Sequence, residues 1–317
     1  MFTMVVSEIT PQRFEQLFAG KSHVYNTAEF SELNRAKTDG VSYLAFEDTK
    51  IRGGLILGRR GNLLCSPFSS PYGGLVTGRS HGIAAIERMW RLAVDHAAAN
   101  GCDLRVTLPP GFMDSDLSAK SVNVLTRLGG VPIVEVNHHF DLTVPDIHAA
   151  FDVKTRNQLH QAQKLPYMFG ELVPEPENIA RVYDVIVRNH TSRGYPVNMT
   201  LADVNATAPV VGARFFILTL EGVDVAAAQV HDPAPGVAQV IYWGDVPGHS
   251  SSRPMNMLAY RLFELYKSEN YRIMDIGIST VDGVPNYGLC DFKEGVGCRP
   301  TAKFTFLFPC ESRRPRT

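Results

Sequence analysis

The chain has 317 residues, more than one typical domain needs and comfortable for two. Hydrophobic residues at 44% and charged residues at 20% are the composition of a folded globular protein and exclude a low-complexity or disordered chain. Lys plus Arg (31) balance Asp plus Glu (32), so no global field attracts nucleic acid or an anionic membrane, although a local basic groove stays open.

The N-terminal segment MFTMVVSEITPQRFEQL is broken by Ser7, Glu8 and Arg13 and reads as neither signal peptide nor span. No apolar run reaches about 18 residues, so no membrane span is expected and a cytoplasmic location is. VSYLAFE (41–47) and KIRGGLILG (50–58) read as two strands of a hairpin. GNLLCSPFSSPYGGLVTG follows and, rich in Gly, Pro and Ser, reads as turns. In residues 83–100, Ile86, Met89, Trp90, Ala93 and Ala97 recur at spacings of three and four, which is helical. Gly101 stops that helix, DLRVTL (103–108) is a strand, 118–130 a short helix, and VPIVEVNHHFDL (131–142) a further strand.

Residues 151–173 begin as a helix whose Lys154, Arg156 and Lys164 make one side cationic. A second helix over 176–196 carries an apolar stripe of Ile179, Val182, Tyr183 and Ile186 and stops at Arg193-Gly194-Tyr195-Pro196. The earlier plan then repeats: strands at 213–222, 223–232 and 236–246, a loop PGHSSSRP, a helix over 255–270, strands at 272–278 and 302–308, with a Gly/Pro/Asn-rich stretch between the last two. From helix start to the following strand takes about 19 to 21 residues in both copies, with negligible sequence identity between them, so the duplication is one of pattern only. The fold class expected is α/β (α+β), with two tandem domains, each a mixed β-sheet flanked by helices, spanning 1–145 and 146–317.

Residues 237–297 hold the densest chemical pattern. An apolar strand runs into a small-residue loop that opens a helix, where unpaired N–H groups and a partial positive charge suit an anionic ligand. Gly248, Ser250, Ser251, Ser252 and Arg253 are therefore the candidate phosphate cradle, or else a hydrophilic connection. Tyr242 and Trp243 close the preceding strand and line a cleft or fill the core. Asp245 and Asp275, at strand ends, are candidate bases or turn caps. The five cysteines are odd in number, scattered and free of any Cys-x-x-Cys pair, so thiols are expected. His138-His139 has no third ligand nearby and no Gly-x-Ser-x-Gly elbow occurs, so neither a metal nor a serine-hydrolase site is expected.

The order Lys154-Thr155-Arg156-Asn157, Ser192-Arg193-Gly194-Tyr195-Pro196, Tyr242-Trp243-Gly244, Asp275-Ile276-Gly277, then Phe292-Lys293-Glu294-Gly295-Val296-Gly297 resembles the Fem family of aminoacyltransferases and its acyltransferase relatives, which have two tandem GNAT-like domains. Ser66-Pro67 through Ser70-Pro71-Tyr72-Gly73-Gly74 is similar to the family's first domain, and the resemblance covers about residues 25 to 308. It departs in two places. Residues 176–208 leave no room for the helical-hairpin arm common in peptidoglycan-bridge enzymes, and the GNAT signature Arg/Gln-x-x-Gly-x-Gly/Ala is replaced by Gly248-His249-Ser250-Ser251-Ser252-Arg253.

The resemblance implies an N-acyltransferase of cell-envelope or polysaccharide biosynthesis. It would carry an acyl or aminoacyl group from acyl-CoA, or from aminoacyl-tRNA, to an amine of a small-molecule or glycan-precursor acceptor, without a metal. It implies that Lys293 neutralises charge developing during transfer, with Phe292 packed beside it, and that Arg193 and Tyr195 touch the acceptor. The residues by themselves leave Lys293 open as a surface lysine in a glycine-rich turn, and Arg193 as a cation placed by the helix dipole. A non-catalytic GNAT-like ligand-binding module is the alternative from another class.

Overall fold

In the computed structural model, residues 3–310 are described; the basic C-terminal stretch SRRPRT lies outside them. In chain order the elements are β1 (Val5–Ile9), α1 (Pro11–Phe18), α2 (Ala28–Leu33), β2 (Gly40–Glu47), β3 (Ile51–Arg60), β4 (Leu63–Ser66), α3 (Ile83–Ala99), β5 (Asp103–Thr107), α4 (Ser115–Arg127) and β6 (Val131–Asp141). They continue with α5 (Ile147–Ala150), α6 (Val153–Ala162), β7 (Tyr167–Leu172), α7 (Pro176–Ser192), α8 (Leu201–Val211), β8 (Arg214–Leu220), β9 (Val223–Ala234) and β10 (Val237–Asp245). Last come α9 (Pro254–Ser268), β11 (Ile273–Ile278), β12 (Thr280–Val281), β13 (Val284–Pro285), α10 (Tyr287–Gly295) and β14 (Arg299–Phe308). They form two compact units, each a mixed sheet flanked by helices.

The first unit holds the residues through Val136, Asp282–Val284 and those from Ala302 onward. Its strands run β1-β2-β3-β4-β5-β14. Asp48 closes the β2–β3 hairpin by accepting the Thr49 N–H and the Arg52 guanidinium. The α3 crossover makes β4 and β5 parallel, and its buried stripe is the one its periodicity predicts: Ile86, Met89, Trp90, Ala93 and Ala97. Trp90 satisfies its indole N–H on Ser121 of α4.

The second unit holds Asn137–Val281 and Pro285–Thr301, with strands in the order β6-β11-β10-β9-β8-β7. Here α9 is the crossover that makes β10 and β11 parallel, and it buries Met257, Leu258, Leu262, Phe263 and Tyr266. Helix α7 packs on β8, β9 and β10. The two copies exchange their final strands. β14, the end of the second copy, pairs antiparallel with β5 in the first unit, and β6, the end of the first copy, pairs antiparallel with β11 in the second.

Three segments depart from their sequence reading. The turn-rich 61–78 contains β4, too short at four residues to show an alternation. The tail of 151–173 contains β7. The Gly/Pro/Asn-rich stretch after β11 contains α10, so the Phe-Lys-x-Gly-x-Gly sequence runs through the last turn of a helix and not through an open turn. Gly288 and Gly295 lower its helix propensity, but Asn286 caps it by accepting the Leu289 N–H. The residues between β11 and β14 therefore present Lys293 from a rigid element. All five cysteines are free thiols and all but Cys290 are buried.

Candidate active site

β10 and β11 pair only over Val237–Gln239 and Ile273–Asp275. Beyond that point they part: β10 stays on β9 as far as Asp245, while β11 meets β6 again at Ile278 after an irregularity. A fork between parallel strands removes ladder partners from the backbone groups that face it, and those groups need others. At the fork, Lys293 Nζ donates to Gly277 O and Ile278 O, both at 2.9 Å. Gly277, at φ +75°, has the left-handed conformation that turns its carbonyl this way. Its N–H donates to Asp275 Oδ1 at 3.0 Å, so one glycine grips the carboxylate with its donor and the ammonium with its acceptor.

Lys293 is only 2% exposed, and not the surface lysine the sequence left open. Burial is the chief cause that pushes its pKa down to about 8, against the opposing pull of the Asp275 charge. Asp275 is fully buried, three residues short of the end of β11. Its oxygens also accept from Asn137 Nδ2 at 2.8 Å and Gln239 Nε2 at 2.7 Å. Three fixed donors occupy its oxygens and no solvent reaches it, so an incoming substrate finds neither oxygen free. Asn137 and Gln239 had no signal in the sequence, since each is an amide in a strand far from position 275.

Tyr242 and Trp243 separate, as neighbours on a strand must. The Trp243 ring meets Phe292 edge-on at 5.8 Å, beside Lys293. Tyr242 lies 5.5 Å from the His190 ring of α7, and its hydroxyl accepts the Asn198 N–H; burial raises its pKa. Asp245 ends β10, and its Oδ1 takes both Arg193 Nη2 at 3.0 Å and Asn189 Nδ2 at 3.1 Å. Arg193 is thus held by Asp245 and remains half exposed. The Tyr195 hydroxyl accepts from Asn286, the cap of α10, at 2.9 Å. The sequence candidates accordingly fall into two clusters, Lys293–Asp275–Phe292–Trp243 and Arg193–Asp245 with Asn189, and the loop 248–253, with Tyr195 and Tyr242 bonded apart from them to Asn286 and Asn198.

Gly244 matters to the second cluster, because a Cβ there would collide with the Asn189 side chain. Gly244→Ala is expected to displace Asn189 from Asp245 and to cost about 2–3 kcal/mol, read as a lower denaturant midpoint.

In the loop, Ser250–Ser252 form a single 3₁₀ turn and Arg253, at φ +60°, starts α9 with no side-chain cap. Ser252 is engaged: its hydroxyl donates to His249 O, and the Tyr167 hydroxyl donates to it. Ser250 and Ser251 are exposed, and Gly248 (φ +92°) has open space where a Cβ would sit. Arg253 Nε is buried with no hydrogen-bond partner. A buried, unpaired guanidinium N–H beside a helix N-terminus is a donor in want of an anion.

The architecture matches solved structures over 96% of the chain. FemX superposes with a TM-score of 0.68 at 12% identity, covering 96% of this chain and 97% of that one. This is the tandem GNAT-like fold of FemX. The structure of L-PGS from Bacillus licheniformis shares it, with a TM-score of 0.60 and 13% identity over 96% of this chain and 92% of that one. So does a tandem GNAT protein from the clavulanic acid biosynthesis pathway, with a TM-score of 0.54 and 12% identity over 96% and 97%. No family model and no curated protein matches the sequence. At these identities the FemX-like fold is held by pattern and burial, not by shared residues.

No helix among the described residues is long and apolar enough to cross a membrane, and no group of three or more His, Cys, Asp or Glu among them is arranged to hold a metal ion.

Proposed function

We propose that the chain is a Fem-like acyltransferase of the cytoplasm that moves an acyl or aminoacyl group from a CoA- or tRNA-type donor to an amine of a cell-envelope or polysaccharide precursor. The observation that carries the reading is the fork between β10 and β11 with Lys293 in it. A fixed ammonium beside the carbon under attack stabilises the oxyanion that develops there, a contribution on the order of 3 kcal/mol for one preorganised donor. Trp243 and Phe292 supply an apolar wall beside it. The donor's phosphates are assigned to the loop at Gly248–Arg253, where Arg253 Nε and the first turn of α9 offer donors. Arg193 and Tyr195 are assigned to the acceptor, and Asp275 to keeping Lys293 charged.

Between the two donor classes the acyl thioester is the better supported. Of the cationic strip at Lys154, Arg156 and Lys164, Arg156 is spent on the Ala149 and Phe151 carbonyls. Calorimetry with acetyl-CoA and with aminoacyl-tRNA decides. We expect heat with acetyl-CoA, weakened about tenfold by Arg253→Ala. Binding of tRNA alone, with steep loss in salt, selects the other donor. No heat with either overturns the reading in favour of a non-catalytic ligand-binding module.

A further inference from the structure

An amine that attacks an acyl carbon must lose a proton, and Asp275, buried and fully bonded, is closed to it. Beside Lys293 stand three side chains in series. The fully buried His138 of β6 places Nδ1 2.9 Å from Ser279 Oγ and Nε2 3.4 Å from Glu294 Oε1. Both ends of the series are tied to the lysine, one through a neighbour's carbonyl and one through the chain. Ser279 follows Ile278, whose carbonyl Lys293 holds, and Glu294 follows Lys293 itself. The series runs from the interior to the surface, since Ser279 is buried and the Glu294 side chain is 57% exposed.

We propose that Ser279, His138 and Glu294 form a relay that carries the proton of the acceptor amine away from the Lys293 fork and out to solvent. The proposal rests on the transferase reading above. A carboxylate can only accept, so the His138 nitrogen facing Glu294 carries the hydrogen and Nδ1 is bare. Ser279 must then donate to Nδ1, the arrangement of a hydroxyl paired with its base and a base oriented by a carboxylate.

The steps balance. The amine nitrogen forms a bond to the acyl carbon and passes one proton to Ser279 Oγ as the Ser279 proton moves to His138 Nδ1. The Nε2 proton passes to Glu294 and on to water. The donor's carbon–sulfur or carbon–oxygen bond breaks with its electron pair, and the leaving group takes a proton from water. Lys293 from α10 and His139 from β6 both disfavour a charge on His138, Glu294 favours it, and burial is the largest cause holding its pKa down. An imidazolium formed there is therefore driven to give up its proton, and Glu294 faces its Nε2 to take it.

The tautomer is the first test, read on the full chain by nitrogen-15 NMR of labelled histidine. Hydrogen on Nε2 is expected; hydrogen on Nδ1 overturns the relay, because Ser279 would then be an acceptor. The second test is kinetic. Ser279→Ala is expected to lower kcat at least tenfold with acetyl-CoA binding unchanged by calorimetry, and Glu294→Gln to move the acid limb of kcat to lower pH. Wild-type turnover combined with full-rate transfer by Ser279→Ala sinks the relay alone. If the wild-type chain transfers nothing to any amine, the transferase reading falls and the relay with it.

Discussion

Lys293→Met is expected to lower acyl transfer by about 10²–10³-fold while leaving a folded chain. The methionine nearly matches the lysine stem in volume and removes only the ammonium, whose two partners are the Gly277 and Ile278 carbonyls. The wild-type pH profile carries the same information. Since Lys293 acts as a cation with a pKa of about 8, kcat is expected to fall as pH rises through that value. Stability moves the other way. The lysine's folded value of about 8 lies below its ordinary 10.5, so between them the unfolded chain holds a proton the folded chain has released. The cost of burying the charge is present in full below about pH 8 and is relieved as pH rises toward 10.5. Its slope is about 1.4 kcal/mol per pH unit. Denaturant titrations at several pH values should show the wild-type chain gaining stability across that window and Lys293→Met showing no such gain. A transfer rate in the methionine variant equal to wild type removes Lys293 from the chemistry.

Gly297→Ala is expected to be among the most destabilising single changes in the second unit. Gly297 has φ +80°, and a Cβ on it would stand 2.7 Å from the Ala150 carbonyl oxygen and 3.0 Å from the Phe140 ring. The oxygen is backbone and cannot turn aside. Phe140 is locked in the core, stacked on Phe263 at 4.1 Å. Left-handed strain and overpacking together are expected to cost about 3 kcal/mol or more, which is roughly 6–12 °C in Tm for a unit of this size. Gly277→Ala is the control. It has a similar φ of +75° but nothing within 4 Å of the added carbon, so only the conformational cost applies, about 1 kcal/mol. Equal losses at the two positions would show that the close approach at Gly297 is not what makes glycine necessary.

Gly297 and its neighbour Gly295 also show how differently a motif reads in sequence and in space. Phe-Lys-x-Gly-x-Gly reads as a glycine-rich turn, yet Gly295 and Gly297 serve packing. Gly295 lets α10 approach the cap of α6, where its carbonyl accepts the Asp152 N–H at 2.9 Å and a Cβ would press on Thr155. Only Lys293 and Phe292 of that motif face the fork. Asp275 was visible as a residue but not as a role, because its role depends on Asn137 and Gln239, each from a different strand. His138 has no third metal ligand near it in sequence, and its partners are a serine and a glutamate more than 140 positions away.

The sequence by itself determined the local elements and their duplication. Amphipathic periodicity requires α3 and α9 to bury the stripes they bury, apolar runs bounded by turn residues require the hairpins, and the matching spacing from helix to strand requires two crossovers of one kind. Only the tertiary structure decided which strand completes each unit. β6 and β14 have the same local pattern as any edge strand, and their exchange follows from pairing across long stretches of chain that no local signal encodes. It likewise decided that Lys293 is buried, that Tyr242 and Trp243 part company, and that β10 and β11 fork after Gln239 and Asp275. Burial and proximity come from contacts distant in sequence, and they turn a lysine in a glycine-rich segment into a buried group held on the Gly277 and Ile278 carbonyls.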